Sequence, residues 1–223
     1  MKKISLLSLL FFVFNMATAQ QEISTAYATQ ATNMFAPLDK NRIPHKVLLD
    51  YGFEYTNLKA YNGTLSDSTV VDVPTLKHIY NTIFSSRVTS ATTGFINPNN
   101  FDSNWKNRTA GTITVSGLYY KYNAFINDAI NLGKVNFVNN QFQDKFVSGV
   151  WQNPYQEFQA FAMAPAISKY EGLSFTVKIP STIFYSNYQS LVQSIQIDFG
   201  NGAGYVTVPF NQNVTISYAT EGV

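Results

Sequence analysis

The sequence predicts a β-rich α+β protein, with a few short helices in the N-terminal half and an antiparallel β-sandwich in the C-terminal half. Three observations predict it. Apolar and polar residues alternate through residues 173–179, 195–199 and 214–218, the period of strands with one buried face. A turn, Gly200-Asn201-Gly202-Ala203-Gly204, separates the second run from Tyr205-Val206-Thr207-Val208, which marks a hairpin. Residues 76–84 carry apolar side chains at helical spacing instead.

The chain opens Met1-Lys2-Lys3, runs apolar from Ile4 to Met16 and continues Ala17-Thr18-Ala19. A cationic start, a short apolar core and a small-residue site form a signal peptide over residues 1–19, cleaved between Ala19 and Gln20. The apolar core is shorter than the roughly 20 residues that span a bilayer, and no later segment is long and apolar enough, so no transmembrane segment is expected in the mature chain. Of 15 Lys and Arg against 13 Asp and Glu, Lys2 and Lys3 leave with the signal, so the mature chain carries 13 of each sign. With no basic patch, nucleic acid is not an expected partner. There is no cysteine, which excludes disulfides, thiolate chemistry and a lipidated N-terminal cysteine; the protein is not expected to be a lipoprotein.

Along the mature chain, Ile23, Tyr27, Ala31 and Met34 can line a short helix, the alternative being a loosely held lead. Residues 47–55 (VLLDYGFEY) read as a strand around Gly52. Asp72 caps a helix beginning at Val73-Pro74, with Leu76, Ile79, Tyr80, Ile83 and Phe84 on its apolar stripe and Arg87 near its end. Asn97-Pro98 starts a further short helix carrying Phe101 and Trp105. Residues 113–122 read as a strand, 122–133 as a short helix ending at Gly133, and 158–163 as a strand stopped by Pro165. Residues 151–154 read as a loop. The expected division is residues 20–133 as an α+β region and 134–223 as a β-sandwich-like region, one continuous domain being the alternative.

Chemistry is sparse. Asp50 and Glu54, four apart on one strand, are the catalytic candidates, because a glycosidase needs two carboxylates; the alternative is two solvated acids. His45 and His78 have no metal-ligand spacing, and His78 lies off its helix's stripe. No G-x-S-x-G or phosphate-loop motif occurs, and no cofactor is expected. Asp198 and Asn201 are weak calcium candidates, since calcium takes oxygen ligands; an Asp there more often bonds turn amides. Phe101, Trp105 and Trp151 are candidate binding aromatics, the alternative for the first two being a helix anchor.

Two resemblances follow from short segments. Ile197-Asp198-Phe199-Gly200-Asn201-Gly202 resembles the D-F-G-D-G hairpin of polycystic-kidney-disease (PKD) type modules, with Asn201 in place of the second Asp and Tyr218 and Gly222 matching a later Tyr and Gly. That resemblance implies an Ig-like β-sandwich ending one strand early, truncated at its C-terminus, so that residues 214–219 form an edge needing cover. The segments VLLDYGFEYTNLKAYNG, LYYKYN, FQAFAMAP and residues 195–205 are similar to uncharacterised secreted proteins of Bacteroidota, which implies no particular activity. It also implies O-glycosylation at Ser68 within Asp67-Ser68-Thr69.

The expected function is that of an exported, non-enzymatic protein of the periplasm, outer surface or medium, a surface-interaction or accessory module binding glycan or another envelope protein. One alternative is a secreted polysaccharide hydrolase using Asp50 and Glu54. Another is the N-terminal fragment of a larger secreted protein without independent function.

Overall fold

The computed structural model describes residues 26–66, 68–88, 93–106, 111–167 and 169–220, the side chains of Asp102, Trp105 and Lys106 excepted. The signal segment, Asp67 and Gly222 therefore lie outside the described residues. In chain order the elements are α1 (26–34), α2 (Val73–Ser85), α3 (Pro98–Lys106), β1 (Thr112–Phe125), β2 (Val135–Val138), β3 (Gln141–Asp144), β4 (Phe146–Val147), β5 (Val150–Trp151), β6 (Tyr155–Pro165), β7 (Ser174–Lys178), β8 (Phe184–Ser186), β9 (Gln196–Asp198), β10 (Tyr205–Thr207) and β11 (Val214–Ser217). The protein is β-rich, with few and short helices placed early in the chain. Two compact units interleave along it: Met1–Asp39 with Asn127–Pro154, and Lys40–Ile126 with Tyr155–Val223. No helix among the described residues is long and apolar enough to cross a membrane.

The larger unit is built on β1. It pairs antiparallel with β6 along its length, from Val115 opposite Pro165 to Phe125 opposite Tyr155. Its other edge pairs parallel with β7 at Thr112–Thr114 and with β8 at Gly117–Tyr119, and β11 closes on β7 antiparallel. The result is a five-stranded mixed sheet. Between β7 and β8 the chain takes a 3-10 turn at Ser181–Ile183. The Ser116 hydroxyl bridges this interruption by donating to the Ile183 carbonyl.

Alternation along β1 and β6 gives the sheet two faces. Leu118, Tyr120 and Tyr122 with Ala160, Ala162 and Ala164 form one, against Leu76, Ile79, Tyr80 and Ile83 of α2. The alanines leave room for the helix. Asp72 caps α2 as expected, its carboxylate accepting from Thr75 N–H at 2.8 Å, and Arg87 lies 3.5 Å over the Phe84 ring. On the other face Val115, Met163, Val177 and Ile216 share a second core with Ile195 and Val208 at the β9–β10 hairpin. The expected strand facing holds: Val177 and Ile179 are fully buried, and Phe175 and Ile197 pack partly buried against the same core. Leu173 lies outside β7 and is exposed.

Two expected elements are corrected. Residues 47–55 are not a strand. Val47 and Leu48 make single bridges to Arg87 and Asn123, and a 3-10 turn at Leu49–Tyr51 then bends the chain. Gly52 sits where a Cβ would fall 2.1 Å from the Ser86 hydroxyl, so the close approach demands glycine. Residues 122–133 are not a helix: 122–125 end β1, because pairing to β6 satisfies the main chain where the Asn-weakened helix pattern cannot, and 127–133 form turns.

In the smaller unit, β2–β3 and β4–β5 are two-residue hairpins. Their turns, Asn139-Asn140 (φ 51° and 58°) and Ser148-Gly149 (φ 51° and 78°), are left-handed at both positions, as hairpin twist requires. Phe35 stacks on Phe142 at 5.1 Å, and Asp39 N–H donates to the Asp144 carboxylate at 2.9 Å. The stretch expected as a loop at 151–154 thus begins inside β5.

Candidate functional site

The sheet face that carries the β9–β10 hairpin is covered only in part. Beyond the hairpin lies an open groove of about 380 Å³, bounded by Tyr61, Tyr119, Gln159, Phe161, Gln193 and Gln196 among others. Strand parity places the central pair: Tyr119 on β1 stands opposite Phe161 on β6. Tyr61 approaches from the segment outside β6, its N–H donating to the Gln159 carbonyl at 2.7 Å. Its ring lies 5.2 Å from that of Phe161, tilted by 47°. The Tyr119 hydroxyl donates to Gln159 Oε1 at 3.0 Å, which locks both side chains. Burial raises the Tyr119 pKa and the nearby Lys121 charge opposes it, so the phenol is neutral and donating at ordinary pH. Among the described residues no Asp, Glu, Lys, Arg or His lines the groove. It presents ring faces, which are apolar, and primary amides, each of which both donates and accepts.

Further along the same strands the chemistry becomes ionic. Lys121 donates to Glu157 Oε1 and His45 Nε2 to Glu157 Oε2, both at 2.7 Å. Hydrogen bonds from Lys121 and then His45 hold the Glu157 carboxyl below its usual range, so it is ionised near neutrality and His45 carries the Nε2 proton. The same pairing raises the Lys121 pKa. Tyr188 completes the cluster, edge-on to His45 at 5.5 Å and 5.1 Å from the Lys121 ammonium. His45 sits at φ 59°, a backbone region that a non-glycine residue seldom occupies.

The candidates from the sequence fall elsewhere. The Asp50 carboxylate accepts from Phe125 N–H at 2.9 Å and so ends the β1 edge. Its side chain reaches solvent, yet the crowding of protein atoms around the carboxylate raises its pKa, and the Phe125 amide opposes that rise. Glu54 accepts from Leu58 N–H at 3.2 Å. The turn at Leu49–Tyr51 takes the two acids off a common strand, and each serves a separate main-chain amide. Phe101 is fully buried and stacks on Tyr80 at 4.5 Å, with their planes 20° apart; it anchors α3 and offers no ring to a ligand. The Trp105 side chain lies outside the described residues. Trp151, half-buried in the smaller unit, donates from its indole to Asp144 at 3.0 Å. His78 is exposed on α2.

Asp198 and Asn201 shape the turn. Asp198 accepts from Gly200 N–H at 2.9 Å, and Asn201 Oδ1 from Ala203 N–H at 3.1 Å. Asn201 Nδ2 donates to the Ser217 carbonyl at 3.1 Å, capping part of the outer edge of β11. Among the described residues no three His, Asp or Glu gather in a metal-binding group. Ser68 is half-buried, its hydroxyl 2.7 Å from that of Ser66.

The groove residues were missed because their signal is one of parity. In Tyr119-Tyr120-Lys121-Tyr122, strand alternation sends Tyr119 and Lys121 to one face and Tyr120 and Tyr122 to the other. Tyr120 and Tyr122 are buried under α2, whereas Tyr119 lines the groove. Adjacency of 158–163 and 113–122 does not fix their register, and it is the structure that sets Tyr119 opposite Phe161.

Comparison with known proteins finds no family model, curated protein or solved structure that matches the chain.

Proposed function

We propose that this chain is an exported, non-enzymatic binding module that holds a neutral glycan in the groove at Tyr61, Tyr119 and Phe161. The observation that carries the reading is the composition of the groove: four aromatic residues, Tyr61, Tyr119, Phe161 and Phe184, with Gln159, Gln193 and Gln196 beside them and, among the described residues, no charged group. Sugars offer C–H faces to aromatic rings and hydroxyls to amides, so this lining suits them. The carboxylates that a polysaccharide hydrolase would use, Asp50 and Glu54, are each engaged by a main-chain amide. Export rests on the N-terminal signal pattern. Membership among secreted Bacteroidota proteins rests on the segments quoted above, and two of them, LYYKYN and FQAFAMAP, contribute Tyr119, Gln159 and Phe161. We also read the C-terminal half as a PKD-like sandwich variant, supported by the hairpin core that Ile195, Val208 and Val177 share.

The test is a glycan-binding panel run beside a hydrolase panel on the chain from Gln20 onward. Binding without turnover, lost in Tyr119→Ala and Phe161→Ala at preserved circular dichroism, is the expected result. Turnover abolished by Asp50→Asn or Glu54→Gln would overturn it.

A further inference from the structure

The outer edge of β6 is covered in part, by Tyr61 at Gln159 and by Thr69 and Val71 at Met163. In an antiparallel pair, residues alternate between those bonded across the ladder and those whose main chain turns outward. Met163 turns outward, donating to the Thr69 carbonyl at 2.8 Å and accepting from Val71 N–H at 3.0 Å. Gln159 also turns outward, its carbonyl taken by Tyr61. Phe161 lies between them with the same parity, and among the described residues its N–H and C=O have no hydrogen-bond partner. The cause is the length of the covering segment. Tyr61 and Thr69 are eight positions apart in sequence but bracket only the four-position step from Gln159 to Met163. The surplus chain arches off the edge. A turn secures the arch, with Thr69 N–H and hydroxyl both donating to the Ser66 carbonyl.

Two clefts meet at this gap. The groove described above opens on one face of the sheet. A second cleft of about 180 Å³, bounded by Leu58, Ser68, Val71, Ile79 and Ala160, opens on the α2 side, and Phe161 borders both.

We infer that the outward main-chain N–H and C=O of Phe161 bind a pair of neighbouring hydroxyls on a neutral oligosaccharide whose chain occupies both clefts. The site needs an acceptor for N–H and a donor for C=O. Two hydroxyls supply both. A carboxylate or phosphate only accepts, and an ammonium only donates, so either leaves one main-chain group unpaired at a cost. A peptide strand adding to the edge needs several outward residues in succession, and here Tyr61 at the Gln159 carbonyl and Thr69 and Val71 at Met163 already occupy the edge on either side of Phe161. The inference rests on the reading of the groove as a glycan site.

The test is amide hydrogen exchange by NMR on the wild-type chain from Gln20 onward, alone and with short and long oligosaccharides of glucan, xylan and mannan. In the free protein Phe161 N–H exchanges faster than Ala160, Ala162 and Met163, whose amides are paired. A bound oligosaccharide slows Phe161 exchange, and a longer chain of the same sugar binds about tenfold tighter than its disaccharide, equivalent to about 1.4 kcal/mol. Slow exchange at Phe161 in the free protein overturns the inference by itself. Binding that leaves Phe161 exchange unchanged, or that ignores chain length, overturns it and keeps the groove as a glycan site. Binding by no member of the panel overturns both.

Discussion

The Asn187 side chain stands in for a strand beside Lys121: its Oδ1 accepts from the Lys121 N–H at 2.9 Å and its Nδ2 donates to the Lys121 carbonyl at 2.8 Å. The edge of β1 is thereby completed in pieces. β7 and β8 pair with its first half, Asn187 takes Lys121, Val47 accepts from Asn123 N–H at 2.8 Å, and Asp50 takes Phe125. The central strand keeps its main chain satisfied without one continuous neighbour. Asn187→Asp keeps the acceptor and loses the donor, setting a carboxylate against the Lys121 carbonyl. The expected cost is about 1–3 kcal/mol, read as a lower urea midpoint with an unchanged slope.

Asp50 separates a structural role from a catalytic one. Asp50→Asn retains an oxygen to accept from Phe125 N–H and removes a carboxylate whose ionisation burial opposes. Stability at neutral pH should be unchanged or slightly higher. Asp50→Ala leaves the Phe125 amide unpaired and should cost about 1–3 kcal/mol. The sign of the pH effect follows. A raised carboxyl pKa in the fold disfavours folding above the unfolded value and fades as pH falls, so the gap between wild type and Asp50→Asn narrows in acid. Thermal melts across acidic to neutral pH check it.

Asn201 stands in the β9–β10 turn, and its amide donates to the Ser217 carbonyl. Asn201→Asp removes that donor from the edge of β11. A loss of about 1 kcal/mol is expected, together with faster aggregation on warming, because an uncapped edge invites pairing. Light scattering during a thermal ramp reads both effects.

Glu157 sets an acid limb. Its pKa is depressed by Lys121 and His45, so its contribution is present above the unfolded carboxylate value of about 4.3 and is lost as pH falls through the lower folded one. Lys121, raised by the same pair, loses its contribution as pH climbs through its folded value. Glu157→Gln should lower Tm at neutral pH and leave it unchanged in strong acid. The Glu157 side chain is 43% exposed, so added salt should shrink the difference.

Much of the fold is legible in local pattern. The strands at 174–178, 196–198, 205–207 and 214–217, the middle of β6 at 158–163 and the capped α2 all follow from period and capping residues. Asn139-Asn140 and Ser148-Gly149 are residue types suited to hairpin turns, but the Asn- and Gln-rich composition around them masks the flanking strands. Residues 47–55 misled because strand propensity does not show where a chain must turn. Their main chain is spent on Arg87 and Asn123 and the Asp50 side chain on the Phe125 amide, partners distant in sequence.

The sequence by itself determined the strands at 174–178, 196–198, 205–207 and 214–217, which face of each is apolar, where α2 starts and where the β9–β10 turn falls, because each depends on neighbours a few positions away. Only the tertiary structure decided that β7 and β8 lie parallel to β1, that Asn187 and Asp50 finish its edge, and that Tyr61, Tyr119 and Phe161 meet around an unpaired main-chain residue. Those relationships join segments separated by tens of residues, and long-range pairing is settled by shared burial and main-chain satisfaction across the whole sheet.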